Sequence, residues 1–159
     1  MIFVTVGGQL PFDRLVESVD RWAGDRGRGD LFAQIGDGRF VPTHVPFERF
    51  LDPRAFAEKL EVADAVVAHA GMGTILSALE LGKPVVVLPR LHAQGEHRND
   101  HQVATAARLS KLAGIYIADD EQAIPGLLDQ LESLPPGEAI DPRAAEPLVA
   151  RIRAYIQEP

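Results

Sequence analysis

The sequence predicts a doubly wound α/β fold on a mainly parallel sheet. Val85-Val86-Val87-Leu88 shows no apolar–polar alternation, so both faces of that strand are buried, as in a parallel sheet covered by helices on both sides. Strand-like runs and segments of helical period alternate along the chain, the β-α order of such sheets. The apolar run Ala65 to Ala68 breaks into His69-Ala70-Gly71-Met72-Gly73-Thr74, followed by a helical pattern. That is the grammar of a buried strand feeding a glycine-rich turn into a helix N-terminus.

The elements follow in order. Ile2 to Val6 is short, apolar and rich in β-branched residues, and ends at Gly7-Gly8, so it reads as a central strand. Phe12, Leu15, Val16, Val19 and Trp22 recur at helical spacing after Pro11, which suits a helix start. Leu31 to Ile35 is a second strand, and Thr43 to Pro46 reads as a short third one. Asp52 as N-cap and Pro53 at the first helical position open a helix to about Val62. The strand Ala65 to Ala68 is followed by a helix from Met72 to Leu81, with Gly82 at its C-cap and Pro84 beyond. After Val85 to Leu88 a polar loop runs from Arg90 to Glu96, and a helix covers about Asn99 to Lys111. Ile115 to Ile117 is a final strand. Helices are expected over Glu121 to Leu134 and, after the link Pro135-Pro136, over Arg143 to Ile156. No composition shift marks an internal boundary, so residues 1–159 read as one domain.

Composition narrows the function. The 159 residues carry a net charge of −7, which disfavours nonspecific nucleic-acid binding through a basic surface. The absence of cysteine excludes disulfides, zinc–thiolate sites and a cysteine nucleophile. No apolar run reaches the roughly 18 residues needed to span a bilayer. Met1 to Val6 lacks a basic leader and reads as a strand. A cytoplasmic protein without direct membrane insertion is expected.

In doubly wound sheets ligands bind beyond the carboxyl ends of the strands. The loops after Val6, Ala68 and Leu88 therefore converge on one edge. Gly7 and Gly8 suit close approach of a ligand, or form a simple tight turn; the spacing is not the dinucleotide fingerprint G-x-G-x-x-G. The turn from His69 to Thr74 places backbone N–H groups at the positive end of a helix dipole, a site for an anion such as a nucleotide diphosphate. It is not a Walker A loop, because no lysine follows the glycines. Thr74 can cap the helix or bind phosphate. His69 can bond a sugar or phosphate, or satisfy a local carbonyl. In Gly95-Glu96-His97-Arg98-Asn99-Asp100-His101-Gln102 the density of polar groups suits sugar hydroxyls; a solvated helix start is the alternative. His97 and His101 are four apart, yet the zinc-protease order is absent. No metal or other cofactor is expected.

These residues carry a resemblance. The chain resembles the C-terminal, donor-binding half of GT-B glycosyltransferases (family 28 C-terminal domain), a Rossmann-like fold. Within that family it is most similar to the short stand-alone subunits of the eukaryotic Alg13 type and the bacterial exopolysaccharide PssE type. The resemblance runs from Ile2 to about Ala118. It rests on Phe3-Val4-Thr5-Val6-Gly7 with Phe12-Asp13 and Leu15, on His69 to Thr74, on Leu79-Glu80-Leu81-Gly82-Lys83-Pro84, and on Asn99-Asp100-His101-Gln102. It implies transfer of a hexose from a UDP-sugar donor to a lipid-linked acceptor at the cytoplasmic membrane face, in exopolysaccharide or glycolipid synthesis. It also implies a membrane-anchored partner similar to Alg14 or PssD, because one such domain is half of a GT-B cleft.

Carried over by position, Gly71, Gly73 and Thr74, with Met72 between them, meet the diphosphate, and His69 orients that loop or contacts the donor. Asn99 and Gln102, with Glu96 and Asp100 beside them, reach the donor sugar or phosphate. Ser77 stands where related enzymes have a glutamate for the ribose hydroxyls. Glu80, one turn later, is the substitute ribose ligand or an exposed helix residue. A metal-independent transferase neutralises its leaving group with helix amides and hydroxyls and needs a general base. His69 and His97 are the catalytic candidates here, and the base is expected from the partner. A non-catalytic nucleotide-sugar binding module is the alternative reading. An epimerase of the UDP-GlcNAc 2-epimerase type needs two domains in one chain.

Overall fold

The computed structural model describes residues 1–135. The expected helix from Arg143 to Ile156 lies outside them. A six-stranded, all-parallel sheet runs in the order β3-β2-β1-β4-β5-β6, formed by β1 (Ile2–Thr5), β2 (Leu31–Gln34), β3 (Phe47–Glu48), β4 (Ala65–His69), β5 (Val85–Leu88) and β6 (Ile115–Ile117). The order reverses between β1 and β4, the switch point at which doubly wound sheets open a ligand crevice. Thr5 pairs with Ala68, and His69 with Leu88, so the loops that follow these strands leave the sheet side by side.

Alternate strand residues separate two cores. On one face Ile2, Val4, Val67, Val86 and Leu88 pack under α1 (Asp13–Arg26) and α5 (Ala123–Asp129). On the other, Phe3, Val66, Ala68, Val85 and Val87 pack under α2 (Pro53–Val62), α3 (Met72–Glu80) and α4 (His101–Leu109). The unbroken apolar runs are thus explained by burial on both faces. Asp52 caps α2 as expected, its carboxylate accepting the Ala55 N–H at 2.8 Å. Gly82 follows α3 at φ +66°, and its N–H returns to Leu79 O.

Three expectations shift. The third strand forms at Phe47–Glu48 rather than over Thr43 to Pro46. The reason is Asp20, a buried carboxylate on α1 that accepts the backbone N–H groups of Thr43, His44 and Val45 at 2.8–3.1 Å. Amides consumed by a side chain cannot join a ladder. Helix α4 begins at His101, two residues after the expected start, because residues 97–100 bond among themselves and to His92. The helix expected over Glu121 to Leu134 ends at Asp129, and a 3-10 turn follows at Leu131–Ser133.

Asp20 is 3% exposed, and among the described residues the three amides it serves have no other acceptor. Asp20→Ala is expected to cost about 1–3 kcal/mol of stability, the penalty of stranding the buried Val45 N–H and loosening the part-buried amides of Thr43 and His44. Urea unfolding followed by circular dichroism reads it; a loss below about 0.5 kcal/mol contradicts the role assigned to Asp20.

Candidate functional site

A cavity of about 300 Å³ opens at the carboxyl edge of the sheet, over the switch point. Val6, Gly7, Gly8, Gln9 and Leu10 line it from the loop after β1, and His69, Gly71, Gly73 and Thr74 from the turn after β4. Arg90, His97 and Gln102 complete it from the loop after β5. The three expected loops therefore meet in one place. A larger cavity, of about 420 Å³, runs along the flank of α1 between Glu17, Trp22 and Pro125. It contains none of the glycine turns.

Helix α3 starts at Met72 with Gly71 as N-cap, and no side chain caps it. The first N–H with an acceptor in the helix is that of Ile75, to Gly71 O at 3.2 Å. The amides of residues 72–74 are thus the unfilled donors of an α-helix N-terminus, carrying its partial positive charge. A Cβ built on Gly73 meets nothing within 4 Å, so this residue faces open space.

His69 explains the other glycines. Its ring lies between Gly7 and Gly71: a Cβ on Gly7 would stand 2.7 Å from Cε1, and one on Gly71 2.3 Å from Nε2. Both glycines are needed because the ring occupies the space of their missing side chains. Gly7 adopts φ +74°, and Thr5 Oγ1 accepts its N–H at 3.2 Å while Gln34 Nε2 donates to its carbonyl at 3.4 Å. His69 Nδ1 is buried with no hydrogen-bond partner among the described residues. Burial, reinforced by the Arg90 charge, pushes the imidazole down to about 4. At neutral pH the ring is uncharged, so positive potential in the cavity comes from the helix N-terminus and Arg90.

The loop after β5 is folded by internal bonds. Glu96, expected among the donor contacts, is turned into the fold: Arg14 grips both its carboxylate oxygens at 2.9 Å, and the Leu91 N–H adds a third bond. Arg14 also donates to Glu121 and to Pro89 O, so this side chain joins α1 to the loops after β5 and β6. Asp100 accepts the His92 N–H, and Asn99 Oδ1 accepts the His101 N–H. Gln102 stays at the cavity, with Oε1 accepting the Arg90 N–H at 3.1 Å. His97 Nδ1 lies 3.1 Å from Asn99 O and 3.0 Å from Asn99 Oδ1, so this side of the ring is turned onto its own loop.

Of the expected contacts, Gly7, Gly8, His69, Gly71, Gly73, Thr74, His97 and Gln102 come together. Met72 packs partly into the core beneath α3. Ser77 is half-buried within α3, and Glu80, exposed at its last residue, is about 12 Å along the axis from Met72; neither lines the cavity. Arg90 was the charged lining residue that motif reasoning missed. Its signal was a charged residue directly after Pro89, at the carboxyl end of a wholly buried strand. Among the described residues no three His, Asp or Glu side chains cluster as a metal site, and no helix is long and apolar enough to cross a membrane.

Residues 1–151 match the model of the glycosyltransferase family 28 C-terminal domain. The human UDP-N-acetylglucosamine transferase subunit ALG13 is 34% identical over 125 residues, covering 72% of this chain. The chain spans only 11% of that protein's length. The Yarrowia lipolytica protein of the same name is 28% identical over 78% of this chain and 67% of its own length. A solution structure of ALG13 superposes with a TM-score of 0.63 at 20% identity, over 96% of this chain and 94% of that one, which shows a shared fold.

The buried neutral ring gives a pH signature. The unfolded chain takes up a proton at His69 from about pH 6.5 downward, the folded chain only near pH 4. The unfolded state thus binds more protons in that window, so stability falls as pH falls from about 6.5 towards 4. Denaturant midpoints measured across that range are expected to show this slope in the wild type and a shallower one in His69→Gln. Equal slopes contradict the buried neutral state.

Proposed function

The chain belongs to the glycosyltransferase family 28 C-terminal domain family, and from that premise we propose that it is the donor-binding, catalytic subunit of a two-component glycosyltransferase. Its donor is a UDP-sugar, from which a hexose unit passes to a lipid-linked acceptor. The observation that carries this reading is the uncapped, glycine-lined N-terminus of α3 opening into a cavity shared by three loops. The names of the human and yeast relatives, each a subunit of a UDP-N-acetylglucosamine transferase, support the donor class and the need for a second subunit.

The chemistry assigned to each group follows from its environment. The amides of residues 72–74 and the Thr74 hydroxyl receive the diphosphate and stabilise the charge that builds on UDP as its bond to the anomeric carbon breaks. The acceptor hydroxyl oxygen forms the new bond to that carbon and gives its proton to a base. A base must face the acceptor, so the partner subunit supplies it; His97 is the candidate from this chain. His69 shapes the phosphate turn by filling the space between Gly7 and Gly71. The amide donors do the work of a divalent cation, which makes the transfer metal-independent. This chain sits at the cytoplasmic membrane face through its partner, an Alg14-like or PssD-like anchored subunit, and no nucleic acid is involved.

Calorimetry with UDP and UDP-N-acetylglucosamine tests the reading. The chain is expected to bind UDP alone, and transfer is expected only when the partner is added. Gly73→Val places two methyl groups where the phosphate lies, in space the fold leaves open. Its melting temperature should match the wild type while UDP affinity drops about tenfold or more. Unchanged affinity contradicts the assignment of the turn to the diphosphate.

A further inference from the structure

Arg90 is 2% exposed although it follows the proline that ends β5. Its guanidinium donates to main-chain carbonyls: Nη2 to Val6 O and Leu10 O, each at 2.7 Å, and Nη1 to Pro11 O and, at 3.4 Å, to Glu96 O. The group lies 4.6 Å from the centroid of the Phe12 ring. Two loops that bound the cavity are thereby tied by one side chain. The Glu96 carboxylate is held by Arg14 and acts on Arg90 through its charge alone; among the described residues no carboxylate forms an ion pair with Arg90.

Neutral hydrogen-bond acceptors offset part of the cost of burying a cation, but they do not cancel its charge. Burial pulls the guanidinium down to about 10, so it stays charged at neutral pH. A neutral donor could have tied the same carbonyls. What a guanidinium adds is a fixed positive charge in the wall that also holds Gly71, Gly73 and Thr74.

Resting on the nucleotide reading above, we propose that Arg90 is a positioning residue for the donor diphosphate: a pre-aligned buried cation with no direct ion-pair partner among the described residues, whose field the bound anion meets. Four of its five N–H groups are already occupied by carbonyls. It therefore acts through its field and through the loop it holds, and the direct phosphate contacts fall to the amides of α3. The charge favours UDP over the same nucleoside without phosphates.

The test uses the full chain, with UDP and uridine as probes, in the wild type, Arg90→Met and Arg90→Lys. Arg90→Met is expected to weaken UDP binding on the order of tenfold, a through-space charge effect, while uridine stays within about twofold. Arg90→Lys should keep the preference for UDP. Histidine NMR titration gives a second readout: the His69 pKa should rise in Arg90→Met and stay low in Arg90→Lys. Arg90→Met that binds UDP like the wild type, or that loses UDP and uridine equally, overturns the proposal. If Arg90→Met does not fold, Arg90→Lys decides: a kept preference supports the proposal and a lost one overturns it. A wild type that binds neither probe overturns the nucleotide reading itself and this proposal with it, a pattern distinct from failure of Arg90 alone.

Discussion

One buried imidazole sets the shape of the cleft. His69 leaves the carboxyl end of β4 and its ring fills the volume that side chains on Gly7 and Gly71 would need. The turn before α3 and the loop after β1 are therefore packed against the same group. Gly7 is further held by Thr5 and Gln34, which sit at the ends of adjacent strands. The parallel register thus reaches the site directly: strand pairing places Thr5 beside both Gln34 and Ala68, and those neighbours fix the two turns that bound the cavity. Glycine serves two purposes here. Gly7 and Gly71 make room for a ring inside the protein, whereas Gly73 leaves room for something outside it.

Two arginines extend this frame to the third loop. Arg90 ties it to the loop after β1 through carbonyls, and Arg14 ties it to α1 through Glu96. The polar segment from Gly95 to Gln102 is consequently not a free fringe of sugar-binding groups. Most of its side chains bond within the segment or into the fold, and Gln102 and His97 are the residues it presents to the cavity. The electrostatic result is a neutral histidine between two fixed positive elements, the helix N-terminus and a buried guanidinium. That arrangement favours an anion, and among the described residues no carboxylate lines the cavity.

The chain's legibility followed the strength of its local signals. Wholly apolar strands, Asp52-Pro53 and Gly82 are short-range signals of burial, capping and helix termination, and the structure places them as those signals require. The third strand moved because Asp20, more than twenty residues away, takes the amides of Thr43 to Val45; no local pattern encodes that. The glycine turn was legible as an open helix N-terminus because the strand, the glycines and the helical pattern follow one another in sequence. The part played by His69 in demanding two of the glycines was not, since Gly7 lies 62 residues from it in sequence and meets it only through strand pairing. Arg90 and the inward turn of Glu96 were hidden for the same reason: their partners come from other elements.

Everything proposed for this chain depends on a diphosphate seated at the N-terminus of α3. The most direct measurement is a titration of ¹⁵N-labelled protein with UDP, followed by amide chemical shifts. Saturable shifts centred on Met72, Gly73 and Thr74 are expected, with much smaller ones for uridine at the same concentration. Shifts that leave those amides unmoved and cluster instead along α1, around Glu17 and Trp22, would contradict that placement.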